Sequence, residues 1–136
     1  MFTLLLNEPP FIEFLVELWL LLFEAKLRDE VLGCSLPSLE ELERNALRAM
    51  GDLESHGSVF LIFRPIHLMH RAQYDNIYGR FDQAKAGLLK AKEMLTTMEM
   101  PAYRRRCEHS LNELEQHMVL QRNLFNISKL SLEVCR

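Results

Sequence analysis

Glycine and proline are scarce, five of each in 136 residues, and a sandwich or barrel, which needs turn residues every few positions along the chain, is excluded on that ground. Cysteine is scarce too. Cys34, Cys107 and Cys135 are an odd number at wide spacing with no CxxC pair, so no disulfide framework is expected and reduced thiols in a cytoplasmic setting are the default. In that setting the Asn126-Ile127-Ser128 sequon is a chance match. Long apolar runs are missing as well. The stretch Met1 to Phe23 is the most apolar, but Glu8, Glu13, Glu17 and the Pro9-Pro10 pair interrupt it and no Lys or Arg precedes Lys26. A signal peptide needs a positive start and a spanning helix about 20 apolar residues, so neither is expected and no transmembrane segment is predicted. There is no GxxxxGK loop, no GxGxxG and no strand for either to follow, which removes the usual phosphate cradles. Nor is there a turn that would hold a nucleophile beside a base. The isolated chain is expected to be no enzyme and to carry no cofactor.

What is abundant is leucine, glutamate, alanine, methionine, lysine and arginine, the residues that lose little rotamer freedom in a helix. With 49% hydrophobic and 26% charged residues and a net charge of -3, the composition is that of one helical globular domain over residues 1–136. Phe11 to Leu32 runs without a breaker to Gly33, a natural C-terminal cap. Ser38 and Glu41 form a capping box, and Leu39, Leu42, Ala46, Ala49 and Leu53 make the stripe of a second helix. Val59 to Tyr78 predicts a third, kinked or truly started by Pro65. Gly79 ends it, and Ala84, Leu88, Ala91, Leu95 and Met98 mark the inward face of a fourth, joined so briefly that the two form an antiparallel hairpin. Pro101 opens a fifth, lined by Tyr103, Cys107, Leu111, Leu114 and Met118, whose pattern loosens past Phe125, so that residues 126–136 are expected to fray. A helix pair recurs about every 40 residues, the period of stacked helical hairpins.

One hairpin carries a recognisable pattern. Tyr78-Gly79-Arg80-Phe81-Asp82-Gln83-Ala84, followed by Leu88 and Ala91 with Ala72 upstream, resembles the middle of a tetratricopeptide repeat. The resemblance implies that Gly79 with Tyr78 and Phe81 turns the chain, that Ala72, Ala84 and Ala91 stand where small residues permit close packing, and that Leu88 fills the apolar position between. It covers about Leu68 to Met98, lacks the family's tryptophan, and has its closing proline late, at Pro101. The fold class it implies is all-α: about five helices in antiparallel hairpins stacked as a short tetratricopeptide-like solenoid. In general texture the chain is also similar to the C-terminal helical-repeat regions found behind the catalytic and ATPase-like modules of large signalling proteins, the soluble adenylyl cyclases among them.

The residues able to carry chemistry point elsewhere than catalysis. His67 and His70 lie three apart and would share a helical face, but Cys107 and His109 point about 200° apart, so a mixed-ligand zinc set does not close and no metal is expected. Glu40, Glu41, Glu43, Glu113 and Glu115 read as solvated helix faces. Arg104-Arg105-Arg106 fan around their helix and lack interleaved aromatics, so no nucleic acid is expected. Charge is uneven: residues 1–55 hold 11 acids and 4 bases, residues 56–136 hold 8 acids and 12 bases, a polarity that would steer a charged partner or an adjoining repeat.

Two function classes remain. The first is a protein-interaction or scaffold module that holds a protein or peptide partner. The second is a non-catalytic C-terminal regulatory fragment or isoform of a multi-domain signalling enzyme such as a soluble adenylyl cyclase, packing on neighbouring repeats of its parent. The first helix bears on both. Phe11, Phe14, Leu15, Leu18, Leu22 and Ala25 fall on one stripe while Leu20, Leu21 and Phe23 lie elsewhere around it, more than one neighbouring hairpin can cover. Phe14, Leu18, Leu20, Leu21 and Leu22 are therefore the candidate partner surface.

Overall fold

The computed structural model describes residues 9–28 and 37–134, the side chains of 9–11 excepted. The expected cap at Gly33, the thiols of Cys34 and Cys135, and the Phe11 side chain lie outside the described residues. Five helices make up the described chain: α1 (Pro9–Leu27), α2 (Leu39–Gly57), α3 (Phe63–Ile77), α4 (Phe81–Thr97) and α5 (Pro101–Val134). No strand occurs among the described residues, and none of their helices is long and apolar enough to cross a membrane.

Local chemistry explains where these helices begin. Pro9 and Pro10 open α1, and Pro101 opens α5, positions whose N–H would lack an intrahelical partner in any case. Ser38 caps α2, its Oγ accepting from the Glu41 N–H at 3.2 Å. Pro65 stands third in α3, where its absent N–H breaks no helical hydrogen bond, so it marks a start and not a kink. The segment 59–62 that precedes it is a turn, not a first half of the same helix.

The two turns around α4 share one geometry. After α3, Gly79 adopts φ +74°, its N–H donates to Asn76 O at 3.0 Å and the Arg80 N–H to Asp75 O at 2.9 Å. After α4, Glu99 takes φ +56°, donating to Thr96 O at 3.1 Å while the Met100 N–H donates to Leu95 O at 3.0 Å. Both are Schellman closures, which satisfy helix carbonyls at the cost of a left-handed residue. Glycine meets that cost freely at 79; glutamate at 99 does not.

Each helix packs on its neighbours in sequence, and beyond these α3 also touches α1 and α5. Two hydrophobic clusters result. One joins Ile12, Val16 and Leu20 of α1 to Ala46, Ala49, Met50 and Leu53 of α2 and Ile66 and Tyr74 of α3. The other joins Ala72 of α3 to Ala84, Leu88, Ala91 and Leu95 of α4 and Cys107, Leu111 and Leu114 of α5. Tyr103 packs against both. Helices α3 and α4 approach closely, for a Cβ built on Gly87 would lie 3.7 Å from Leu68 O and 3.8 Å from the Ala72 Cβ.

Two features depart from the sequence pattern. The buried face of α1 is Ile12, Val16, Leu20 and Phe23, not the stripe through Phe14 and Leu18. Because α1 is apolar nearly all round, periodicity does not fix which side it buries. Helix α5 continues to Val134 where loosening was expected past Phe125: it has 34 residues, about 51 Å, against 15 to 19 for the others. From Val119 to Val134 every residue is exposed, so this half of α5 overhangs the body.

Two stability measurements follow from the packing and the turns. Ala84 and Ala91 are both fully buried, so Ala84→Leu and Ala91→Leu should each cost about 1–3 kcal/mol by overpacking; an unchanged thermal midpoint for both contradicts the α3–α4 packing. A Cβ at Gly79 meets nothing, so Gly79→Ala should cost about 1–2 kcal/mol through φ alone, whereas Glu99→Gly should gain about 0.5–1 kcal/mol in urea unfolding, part of the relieved strain being offset by the freer unfolded chain.

Candidate interaction groove

The odd-numbered helices line one side of the molecule, and an open cleft of about 400 Å³ lies between them. Its floor is Met69 and Ala72 of α3 with Ala84 and Leu88 of α4 and Leu114 of α5; Glu17, Leu21 and Glu24 of α1 form one wall, Arg106, His109, Glu113 and His117 of α5 the other. A second cleft of about 330 Å³ shares Glu24, Asn76 and His117 with it and continues past Leu27, Ile77 and Phe81 to Leu120 and Leu124. The two make one groove that runs onto the overhang of α5. Midway, Asn76 Oδ1 is buried with no hydrogen-bond partner among the described residues.

A polar cluster closes one end of the groove. Glu13 and Glu17, one turn apart on α1, both meet Arg106 of α5: its guanidinium donates to Glu13 Oε1 at 3.3 Å and to Glu17 Oε1 at 2.8 Å. The Tyr103 hydroxyl donates to Glu13 Oε2 at 3.1 Å, and the buried His70 of α3 brings Nε2 within 3.6 Å of Glu13 Oε1. Burial opposes ionisation of Glu13, but His70, Arg106 and the Tyr103 hydroxyl outweigh it and hold the carboxyl below its ordinary value. Burial beside that carboxylate pushes the Tyr103 hydroxyl up. The cluster ties α1 and α5 across α3, where side chains meet although no backbone packing joins α1 to α5 directly.

Ligand atoms of Glu13, Glu17 and His70 lie within 4.8 Å of one another, a carboxylate-histidine set suited to a divalent ion. Arg106 already supplies the cation there, and an ion would have to displace it. The set weighed from the sequence is dispersed. His67 faces Glu54 of α2 at 3.9 Å, and burial lowers its pKa; His109 is exposed beside Glu113 at 3.2 Å; Cys107 is fully buried, its Sγ donating to Leu88 O at 3.1 Å and its pKa raised by burial. Such a thiol is a packing residue and a poor nucleophile.

The structure distributes the other singled-out residues as follows. Ala72, Ala84, Leu88 and Ala91 lie together in the α3–α4–α5 cluster, with Phe81 at its edge. Tyr78 is half-exposed and does more than turn the chain: its hydroxyl and that of Tyr74 both donate to Glu43 Oε1 of α2, its ring meets Phe23 at 6.1 Å, and the Arg80 guanidinium lies 4.9 Å over it. The hydrogen bond to Glu43 drives the Tyr78 pKa upward. Arg80 is itself held by Asp75 at 2.8 Å. Of the candidate partner surface, Phe14, Leu18 and Leu21 are exposed and Leu22 half-buried, but Leu20 is fully buried against α2 and α3 and offers nothing to a partner. Glu43, expected on a solvated face, is half-buried and accepts from Tyr74 and Tyr78 instead, while Glu13, Glu17 and the exposed apolar residues of the overhang take roles the sequence pattern does not assign. Leu120, Ile127 and Val134 at steps of seven were the signal for the last.

Glu13 makes stability fall in acid. Its folded pKa lies below the ordinary 4.5, so its contribution is complete above about 4.5 and is lost as pH falls through the lower folded value. Glu13→Gln should cost about 1–2 kcal/mol near neutrality by weakening a charge-assisted network, with the gap to the parent closing on acidification. A gap in urea unfolding free energy that stays constant across this range means the carboxylate pairing does not stabilise the fold.

No protein-family model, curated protein or solved structure matches the chain, so its reading rests on the groove and the helices that shape it.

Proposed function

We propose that the chain is a protein-interaction module of stacked helical hairpins, with no catalytic role of its own, whose groove between α1, α3 and α5 receives an amphipathic helix of a partner. The stacking order of helices, with α3 touching both α1 and α5, supports the solenoid-like part of this reading. The observation that carries the binding part is the continuity of the groove with the overhang: Leu120 and Leu124 line the cleft, and beyond them Ile127, Leu130 and Val134 extend an apolar face 61 to 85% exposed. Val119 joins the same face, whereas Arg122, Lys129 and Glu133 lie on the opposite side of the helix. A helix that is apolar along one face and uncovered is a surface for another helix laid into it.

The alternative, a regulatory segment packed within a multi-domain signalling enzyme, is favoured by one feature, the exposed band of Phe14, Leu18 and Leu21 on α1. In that reading Phe14→Ser with Leu18→Ser improves solubility of the isolated chain without lowering its melting temperature.

Panning a display library of helical peptides against the chain tests the module. Enriched peptides should be amphipathic, shift the amide resonances of Met69, Asn76 and His117, and lose binding on Leu124→Glu, a substitution at an exposed position. Enrichment of no helix, or binding indifferent to Leu124→Glu, rejects the groove as the binding surface.

A further inference from the structure

We infer that Glu13, Glu17 and His70 form a binding site for one divalent transition-metal ion of the zinc class, which enters from the groove and takes the place of the Arg106 guanidinium between the two carboxylates. The site is independent of which partner the groove receives. It also differs from the ligand set weighed in the sequence, of which it retains His70 alone. Three observations carry it.

The first is the state of His70. It is 5% exposed, and at 3.6 Å from Glu13 Oε1 its Nε2 stands beyond hydrogen-bonding distance. A buried ring nitrogen is thus aimed at a carboxylate without being bonded to it. Zinc holds nitrogen and oxygen ligands at about 2.0–2.2 Å in a tetrahedron, which sets neighbouring ligand atoms about 3.3–3.6 Å apart. The separation found is too long for a hydrogen bond and suits two ligands of one ion.

The second is charge. Glu13 and Glu17 share the one guanidinium of Arg106, at 3.3 and 2.8 Å. With His70 neutral, as a ligand must be, one negative charge is left uncompensated at a place where Glu13 is largely buried. A divalent ion neutralises both carboxylates, which a single guanidinium does not. Arg106 is able to leave: its side chain is 48% exposed and lines the open cleft, so it can turn into solvent without burying an unpaired charge.

The third is that the ligands are already held. Glu13 and Glu17 stand one turn apart on α1 and His70 meets them from α3, so the three ligand atoms lie within 4.8 Å of one another with no movement of the backbone. The Tyr103 hydroxyl donates to Glu13 Oε2 at 3.1 Å, which leaves Oε1, the oxygen beside His70, for the ion. Glu17 is half-exposed and reaches in from the cleft, through which a water can supply the fourth ligand. The imidazole nitrogen favours zinc over magnesium and calcium. Loading ties α1 to α3 directly and releases Arg106 to the groove wall.

Calorimetric titration of zinc into the full chain, with Cys34→Ser and Cys135→Ser to remove thiols that bind the ion themselves, tests this. One ion per chain should bind at about 100 µM protein, and the thermal midpoint should rise with zinc concentration. Glu17→Gln, at a half-exposed position, should weaken binding about ten-fold, as should His70→Gln, whereas His67→Ala with His109→Ala should leave it unchanged. Arg106→Gln removes the competing cation and should strengthen binding about ten-fold, an effect that an ion seated elsewhere does not show. Magnesium should bind about a hundred-fold more weakly than zinc. No binding to either the parent or the Arg106→Gln chain at about 1 mM zinc overturns the inference. So does binding indifferent to Glu17→Gln and Arg106→Gln, binding lost with His67→Ala and His109→Ala, or equal affinity for magnesium.

Discussion

Helix α3 is the element on which the rest depends. It is the shortest of the five helices, yet both hydrophobic clusters are built on it, with Ile66 and Tyr74 on the side of α1 and α2 and Ala72 on the side of α4 and α5. Two small cores of this kind would each be marginal alone. Sharing a helix couples them into one unit, and the side chains between the two faces of α3, Met69, Gln73 and Asn76, are left to line the groove. Small residues make this possible. Ala72, Ala84, Gly87 and Ala91 let α3 and α4 approach closely, which leaves α5 room to lie across from α1 with the groove between.

The polar contacts are placed where apolar packing is thin. Glu13, His70, Tyr103 and Arg106 join α1, α3 and α5 at one end, and Glu43 with Tyr74 and Tyr78 joins α2 to α3. In both cases a carboxylate accepts from several donors at once, and such networks lose more than one contact's worth when a member is removed. The first network also sets the electrostatics of the groove. Its two carboxylates and one guanidinium leave an acidic excess at that end, which favours the positively charged side of an incoming helix and disfavours an acidic one.

Much of the fold was legible in the sequence because it is written in local chemistry. Ser38 with Glu41, Pro101, and Gly79 between two helical patterns each mark an element boundary through backbone hydrogen bonding within a few residues. What was not legible depends on distance or on ambiguity of face. Glu13 and Arg106 are 93 positions apart, and nothing in either helix's own pattern announces the pair. The sequence alone leaves Leu20 among the outward residues because α1 is apolar around most of its circumference, and only the location of α2 and α3 decides that Val16 and Leu20 turn inward. The second left-handed turn, at Glu99, carries no glycine to signal it. The overhang was obscured for a different reason: its apolar stripe shifts phase after Met118, from the face that packs on α4 to one that packs on nothing within the chain.

The central claim is that α3 anchors one cooperative body from which residues 119 to 134 project uncovered. Hydrogen exchange of the full chain, followed by mass spectrometry over a concentration series, measures both parts together. The account predicts that amides of α3 and α4 exchange slowest at every concentration, and that amides of 119–134 exchange rapidly in the dilute chain. Protection of 119–134 equal to that of α3 in the most dilute sample, or faster exchange in α3 than in α2 and α5, would contradict it.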